Sequence, residues 1–435
     1  MYRSAIEQLK EWKSKTRRKP LIIRGARQVG KTWLMKEFGS QEYDETVYVN
    51  FDGNETMRNL FEGTNDVSRL MMGLEIYSGK RIDPARTLLI FDEIQEVPRA
   101  LSSLKYLDED APQYQIICAG SMLGVALHPG TSFPVGKVEF IDLFPLSFSE
   151  FLMAFGMGEY SELLTRGDYA MAGMLSSELV TMLRLYYFLG GMPEVVQAFT
   201  GNKDFVEARD IQLRILSGYE QDFSKHAPNE AVPRIRMVWN SIPHQLSREN
   251  RKFVYGLVKE GARAKEFEHA LMWLTDCGLV QKVHRVTKPG LPLEAYEDPK
   301  AFKLFLLDIG LLSCMAGLKQ DSLLQGSAIF EEYKGALTEQ YVFQQLKTLR
   351  GLGVFYWAAE RATAEVDFLV DDGRSVVPLE VKPERNLKSK SLKVYRDKYM
   401  PALAVRTSLA DYEAIDGLVD LPLWAIGNLS AFIDA

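Results

Sequence analysis

Apolar positions fall into two rhythms along the first third of this 435-residue chain. Largely apolar stretches of strand length are Leu21-Ile22-Ile23, Thr46-Val47-Tyr48-Val49-Asn50-Phe51, Thr87-Leu88-Leu89-Ile90-Phe91 and Tyr114-Gln115-Ile116-Ile117-Cys118-Ala119, the third unbroken. A continuous run of this kind suits a parallel strand buried on both faces. Between them, Ala5, Leu9 and Trp12, the stretch Trp33–Phe38 and the stretch Val67–Tyr77 carry helical spacing. Strands alternating with helices predict a doubly wound α/β domain over roughly residues 20–150.

The pattern then changes twice. Residues 151–225 place Leu, Met and Tyr at helical spacing, broken at Gly190-Gly191-Met192-Pro193, a helix stop. From Ala231, helices over Arg234–Ser241 and Arg263–Cys277 precede two strand-like pieces, Leu279–Val283 and Phe302–Leu307, joined by the Pro/Gly-rich Lys288–Pro299. Helices followed by a hairpin make a winged-helix candidate, in which Arg263–Cys277 would be the DNA-reading helix. Phe267, Ala270, Leu271, Trp273 and Leu274 occupy much of that helix and leave little basic surface for phosphates, although Arg248, Arg251 and Lys252 precede it. A packing role for the helix is therefore favoured.

The last third opens with a helix around Gly335–Val342. Two strands follow, Ala364–Val370 and Ser375–Lys382, flanking an Asp-Gly turn, which reads as a hairpin. Pairing Val370 with Ser375 sets Asp367 opposite Pro378. Period two then gathers Asp367, Glu380 and Lys382 on one face. The other face takes Val366, Phe368, Val370, Val377, Leu379 and Val381, enough to pack on helices.

Bulk composition narrows the class without naming it. A chain of this length exceeds one core and suggests several domains. The expected division is 1–150, 151–228, 229–320 and 321–435. A net charge of −6 gives no global attraction to nucleic acid, so any such affinity must be local. Cys118, Cys277 and Cys314 are far apart in apolar surroundings, which fits buried free thiols in a reducing compartment. The first twenty residues contain no signal-peptide core, and no apolar run approaches ~18 residues, so the expectation is a cytoplasmic protein without a membrane span.

Within this frame, Gly25-Ala26-Arg27-Gln28-Val29-Gly30-Lys31-Thr32 reads G-x-x-x-x-G-K-T between a strand and the helix that Trp33 continues. The glycines let backbone N–H groups close on phosphate oxygens, and the helix start adds its positive end. Lys31 is expected on the β/γ-phosphates and the Thr32 hydroxyl on Mg²⁺. Asp92 ends a buried strand, where an acid holds the Mg²⁺ shell, and Glu93 is placed to orient or deprotonate the attacking water. Ser121, ending the next strand, suits a sensor of the γ-phosphate; a plain Gly-Ser turn is an equal reading. ATP and Mg²⁺ are the expected cofactors, and hydrolysis is favoured over binding alone.

In the last third, Asp367 and Glu380 can share a divalent cation with Lys382 beside them. This is the D…E-x-K constellation of PD-(D/E)XK nucleases, and Glu339 matches the helix acid that completes such sites. Lys382, Arg385, Lys388, Lys390, Lys393, Arg396 and Lys398 are set against Glu384 and Asp397, a basic stretch suited to DNA. A half-exposed sheet with an outward charged face is the structural alternative. Some nucleases place a proline next to the aspartate; here Arg361 and Ala362 stand well before Asp367.

The P-loop, Phe91-Asp92-Glu93-Ile94-Gln95, Ala119-Gly120-Ser121 and Phe144-Pro145-Leu146-Ser147-Phe148-Ser149-Glu150-Phe151 together resemble the AAA+-related ATPases of bacteria and archaea that carry an uncharacterised C-terminal domain. The resemblance runs along essentially the whole chain. It implies an α/β fold comprising an AAA+-type P-loop domain with a parallel five-stranded sheet, a helical lid over 151–228, a winged-helix-like domain and a C-terminal restriction-endonuclease-like domain. The Gly190-Gly191-Met192-Pro193 break is similar to a segment that faces nucleotide in signalling ATPases. Where the family has Gly-Arg-Val, this chain has Gly136-Lys137-Val138, so no arginine finger is named. Relatives commonly complete the ATP site between subunits, which leaves monomer and homo-oligomer both open. The favoured function is an ATP-driven or ATP-regulated protein acting on DNA. Its rivals are a nucleotide switch with an inactive C-terminal binding module, and a remodeller of protein substrates.

Overall fold

The computed structural model describes residues 1–120, 133–247, 252–321, 328–359 and 364–433, the helix residues 328–332 by backbone only. The chain divides into two units, Arg3–Phe144 with Asp276–Gly278, and Met1–Tyr2 with Pro145–Thr275 and Leu279–Ala435.

The first unit is built on five parallel strands: β1 (Leu21–Arg24), β2 (Glu45–Asn50), β3 (Thr87–Asp92), β4 (Gln115–Ala119) and β5 (Glu139–Asp142). Their order is β2-β3-β4-β1-β5. The uninterrupted apolar sequences of β3 and β4 are explained by burial of every residue in both strands. β5 is an edge strand with a half-exposed pattern and belongs to none of the apolar runs. Helices Glu55–Gly63, Val67–Ser78 and Pro98–Asp110 pack one layer, where Phe51, Phe61 and Phe91 meet edge to face. Parallel strands and flanking helices bring the carboxyl ends of β1 and β3 to the same edge, the position at which open α/β sheets bind ligands.

The second unit carries the helices Phe148–Ala154, Gly158–Arg166, Tyr169–Met174, Ser176–Leu189, Pro193–Asn202, Phe205–His226, Val232–Leu246 and Ala264–Asp276. The Ala264–Asp276 helix buries Phe267, Ala270, Leu271, Trp273 and Leu274, and Trp273 lies edge to face on Phe223. Its exposed positions include Lys265, Glu266, Glu268 and His269, a face of mixed sign. The remaining strands are β6 (Val280–Val286), β7 (Glu297–Leu306), β8 (Gly353–Ala358), β9 (Glu365–Asp371), β10 (Val376–Val381), β11 (Ala404–Ser408), β12 (Glu413–Ile415) and β13 (Leu418–Pro422). They form one mixed sheet in the order β12-β13-β11-β10-β9-β8-β6-β7.

Two sequence expectations change here. The hairpin expected as a separate wing, β6–β7, joins the C-terminal sheet, because β6 runs parallel to β8 through Arg285↔Tyr356 and Val286↔Trp357. The β9–β10 hairpin pairs Val370 with Val377, two residues from the expected register. Asp371 remains in the strand, where its carboxylate accepts from the Gly373 and Leu293 N–H groups. Asp372 then caps the turn by accepting from Arg374 and Ser375. A shift of two preserves the faces.

The helix Ala328–Thr348 supports this sheet through buried polar side chains. Gln340 bonds both the N–H (3.0 Å) and the C=O (2.6 Å) of Leu306, and Gln344 accepts from the Ile309 N–H at 2.9 Å. Phe343 stacks on Phe305 and Phe368. The Gly190-Gly191 break closes on Asp308, whose carboxylate accepts from the Gly191 N–H at 2.6 Å. A Cβ at Gly190, where φ is +72°, would meet Asp308 Oδ1 at 2.1 Å, so only glycine fits. That break is thus a packed junction within the second unit.

Candidate functional site

At the edge of the first sheet, the loop Gly25–Gly30 leaves β1 and enters the helix Lys31–Glu42. Its backbone turns through φ +148° at Gly25, +66° at Gln28 and +94° at Gly30. A Cβ at Gly25 would lie 2.3 Å from the Leu143 carbonyl oxygen. The loop is anchored from behind by Arg3, a buried side chain that donates to the carbonyls of Val29 (2.8 Å) and Phe144 (2.6 Å). Val29 and Ala26 point inward and are buried, Arg27 is half-buried and Gln28 and Trp33 are exposed or nearly so.

Lys31 is buried and its ammonium donates to the Gly25 (2.8 Å) and Ala26 (2.7 Å) carbonyls. Burial lowers its pKa to about 8, against the opposing pull of Glu93 and Asp92. The Thr32 hydroxyl donates to Asp92 Oδ2 at 2.7 Å, and Tyr48 donates to the same oxygen at 2.9 Å. The β2–β3 register sets Tyr48 beside Ile90 and Asn50 beside Asp92, which brings the phenol to the strand-end acid. Glu93 adopts φ +51°, opening the short 3₁₀ turn Ile94–Glu96. Its carboxylate accepts from Gln95 Nε2 at 2.6 Å. Gln95 is itself buried, and its Oε1 has no hydrogen-bond partner.

These residues fit a nucleoside triphosphate with Mg²⁺. The loop presents amides and a lysine for phosphates, and a hydroxyl and a carboxylate already within hydrogen-bond reach form the donor set for one hard cation. A cation held there would supply charge neutralisation for the phosphates. Thr32 and Asp92 would hold it, Lys31 would meet phosphate, and Glu93 would hold the proton of the attacking water. Ser121 lies outside the described residues. Lys137 forms an ion pair with Glu109 at 2.8 Å. Sequence reasoning missed Arg3, Tyr48 and Gln95; of these only Gln95, two positions from Glu93, carried a local signal.

The second constellation lies on β9 and β10. The observed register, continued one pair beyond Leu379↔Phe368, sets Asp367 opposite Glu380. The Asp367 carboxylate accepts from the Val381 N–H at 2.8 Å. Glu380 is buried, with Oε1 accepting from Lys382 Nζ at 2.7 Å and Oε2 unpartnered. Burial, and then the neighbouring Asp367 charge, push its pKa up to about 7, while Lys382 and Lys303 oppose the shift. Glu339 is buried on the Ala328–Thr348 helix and faces Lys303 of β7 at 3.5 Å. Lys303 Nζ also pairs with Glu365 at 2.7 Å. Among the described residues no group of three or more His, Cys, Asp or Glu is arranged to hold a metal ion, so the expected Glu339–Asp367–Glu380 ligand set is not brought together as such.

Of the basic stretch, Arg385, Lys388, Lys390, Lys393 and Lys398 are exposed, while Leu392 and Tyr395 anchor the Lys390–Tyr399 helix in the core. Lys393 and Arg396 line an open groove of about 580 Å³ with Arg406, which is neutralised by a bidentate pair with Asp420. Arg248 and Arg251, and Arg361 with Ala362, lie outside the described residues. The three cysteines are free and buried. Among the described residues no helix is long and apolar enough to cross a membrane.

Comparison with known proteins agrees with the first site. Residues 17–152 match the family model described as an AAA domain. Residues 180–322 and 334–426 match two families described as domains of unknown function, DUF8612 and DUF4143. No curated protein matches the chain in sequence. Among solved structures, the Walker-type ATPase of Pyrococcus abyssi is 13% identical, with a TM-score of 0.44 over 71% of this chain and 94% of that one. The Orc1 protein of Aeropyrum pernix in complex with DNA is 12% identical, with a TM-score of 0.26 over 72% of this chain and 92% of that one. Cdc6p of Pyrobaculum aerophilum is 12% identical, with a TM-score of 0.24 over 76% and 93%. All three scores lie below 0.5. The domain match and the site geometry together support an ATP-binding AAA+ P-loop domain.

Proposed function

We propose that the protein hydrolyses ATP with Mg²⁺ at the Gly25–Thr32 loop, and that this ATPase drives or regulates a C-terminal domain acting on DNA by metal-dependent phosphodiester cleavage. The observation that carries the ATPase is the 2.7 Å contact between the Thr32 hydroxyl and Asp92, with Glu93 next in the chain. A P-loop hydroxyl and a strand-end carboxylate brought together in this way are the pair that would share one Mg²⁺ beside a bound triphosphate. Glu93 is the base that takes the water's proton, Lys31 meets developing phosphate charge, and Gln95 holds Glu93 in place.

For the C-terminal domain, the support is the buried, unpartnered Oε2 of Glu380, on a carboxylate that feels the Asp367 charge. A buried carboxylate oxygen without a donor is costly, and a divalent cation shared with Asp367 would satisfy it. Lys382 would then stabilise charge at the scissile phosphate, and the exposed Lys388, Lys390 and Lys393 would track the DNA backbone. Two observations favour the rival binding-module reading: Lys382 Nζ is engaged by Glu380 at 2.7 Å, and among the described residues no three-ligand group stands ready. The two separate in a cleavage assay on supercoiled and single-stranded DNA with Mg²⁺ or Mn²⁺, with and without ATP. Cutting that disappears in Lys382→Ala supports the nuclease. Absence of cutting by a preparation that hydrolyses ATP supports the binding module.

A further inference from the structure

Lys303 is a fully buried charged side chain of the second unit. It is a lysine with no solvent exposure, on β7, among residues of a different chain segment. Its ammonium contacts Glu365 Oε1 at 2.7 Å and Glu339 Oε2 at 3.5 Å, and lies 5.0 Å from the centre of the Tyr356 ring. An ammonium taken wholly out of water is retained only where partners replace its hydration. Here two carboxylates and an aromatic face do so. Lys303 also acts on Glu380, offsetting part of the shift that burial and Asp367 impose there. Glu339, Glu365, Asp367 and Glu380 thus form one electrostatic cluster with Lys303 and Lys382.

We propose that Lys303 is a built-in cation, standing between Glu339 and Glu365 where a second divalent ion would otherwise bind, so that the C-terminal site takes one metal. The inference rests on the divalent-cation reading of Asp367 and Glu380. It assigns Glu339 and Glu365 to the lysine and leaves the unpartnered Glu380 Oε2, with Asp367, to the metal. It also makes the site a joint product of two chain segments, since Lys303 belongs to the β6–β7 hairpin and its partners follow residue 328. Lys303 is a positioning residue, acting through the carboxylates it holds.

The test counts Mn²⁺ on the full chain without nucleotide, by the loss of free-ion EPR signal, and reads the difference between variants, which cancels ions held elsewhere. Lys303→Gln is expected to bind one more Mn²⁺ than the unaltered chain, and Lys303→Gln combined with Glu365→Gln is expected to lose that gain. A Lys303→Gln count equal to that of the unaltered chain overturns the proposal. Glu380→Gln reads the underlying site separately. A count unchanged by Glu380→Gln contradicts the divalent-cation reading, while a gain in Lys303→Gln still upholds the lysine's role. Removing a buried charge partner also threatens folding, so thermal unfolding is followed with and without Mn²⁺. Recovery of the Lys303→Gln transition by Mn²⁺, and not in the double variant, supports the proposal. A variant that stays unfolded in Mn²⁺ overturns it, because the ion then fails to replace the ammonium.

Discussion

The Thr32 hydroxyl and the Asp92 carboxylate, sixty positions apart in the chain, meet at 2.7 Å. Thr32 stands in the first turn of the helix after β1, and Asp92 is the last residue of β3. β4 lies between those two strands, so their meeting is a product of strand order and of the way the loop wraps. Tyr48 donates to the same carboxylate oxygen. The result is a hydrogen-bonded set of Thr32, Tyr48 and Asp92 at the edge of the sheet.

Arg3 makes the loop's geometry depend on the chain's first residues. Arg3→Met keeps the aliphatic bulk and removes both charged hydrogen bonds, to Val29 and Phe144. The expected cost is roughly 1.5–3 kcal/mol of stability, accompanied by weaker ATP binding. Denaturant unfolding and titration with a fluorescent ATP analogue check it. Unchanged affinity and stability would show that the loop holds its shape without Arg3.

Gln95 is expected to act through Glu93. Gln95→Ala leaves the carboxylate without its 2.6 Å donor, so its orientation toward water broadens. One charge-assisted hydrogen bond at this point corresponds to about a tenfold loss in kcat, with nucleotide KM little altered. Steady-state phosphate release reports both constants. A change confined to KM would place Gln95 in binding and not in positioning the base.

Glu380 gives the protein a pH-dependent stability with a defined sign. Its pKa rises from the ordinary 4.5 to about 7 in the folded chain. Between those values the native state holds a proton that the unfolded chain has released, so stability is greater below pH 4.5 and falls as pH rises to about 7. The shift corresponds to on the order of 3 kcal/mol at this buried site. Glu380→Gln removes the penalty, and is therefore expected to be more stable than the unaltered chain at pH 8 and similar to it at pH 5. Urea unfolding at the two pH values measures the difference; the opposite order would refute the burial argument.

The sequence made the first unit legible because its two signals are local. β3 and β4 are buried on both faces and read as apolar runs, and the loop between β1 and its helix has fixed spacing. β5 was not legible, since Glu139–Asp142 lies at an edge and keeps a polar side. Tyr48 and Arg3 carry no motif; each is placed by a partner far along the chain.

In the second unit the face on which Asp367, Glu380 and Lys382 lie followed from period two, and a two-residue error in register left it intact. What the sequence could not show was the other half of that cluster. Lys303 is one basic residue in an apolar strand, and its neighbours Glu339 and Glu365 become visible only when β7 joins the C-terminal sheet. The same assembly explains why the winged-helix reading held the hairpin apart: separate segments that share a sheet look like separate domains in one dimension.

The most direct test of the ATPase is phosphate release by the full chain with Mg²⁺ and ATP, compared between the unaltered protein and Glu93→Gln, with nucleotide binding measured on the same samples. Glu93→Gln keeps the hydrogen-bonding shape and loses the base. The account predicts retained ATP binding and a fall in turnover of at least about a hundredfold. Turnover equal to that of the unaltered protein would contradict it.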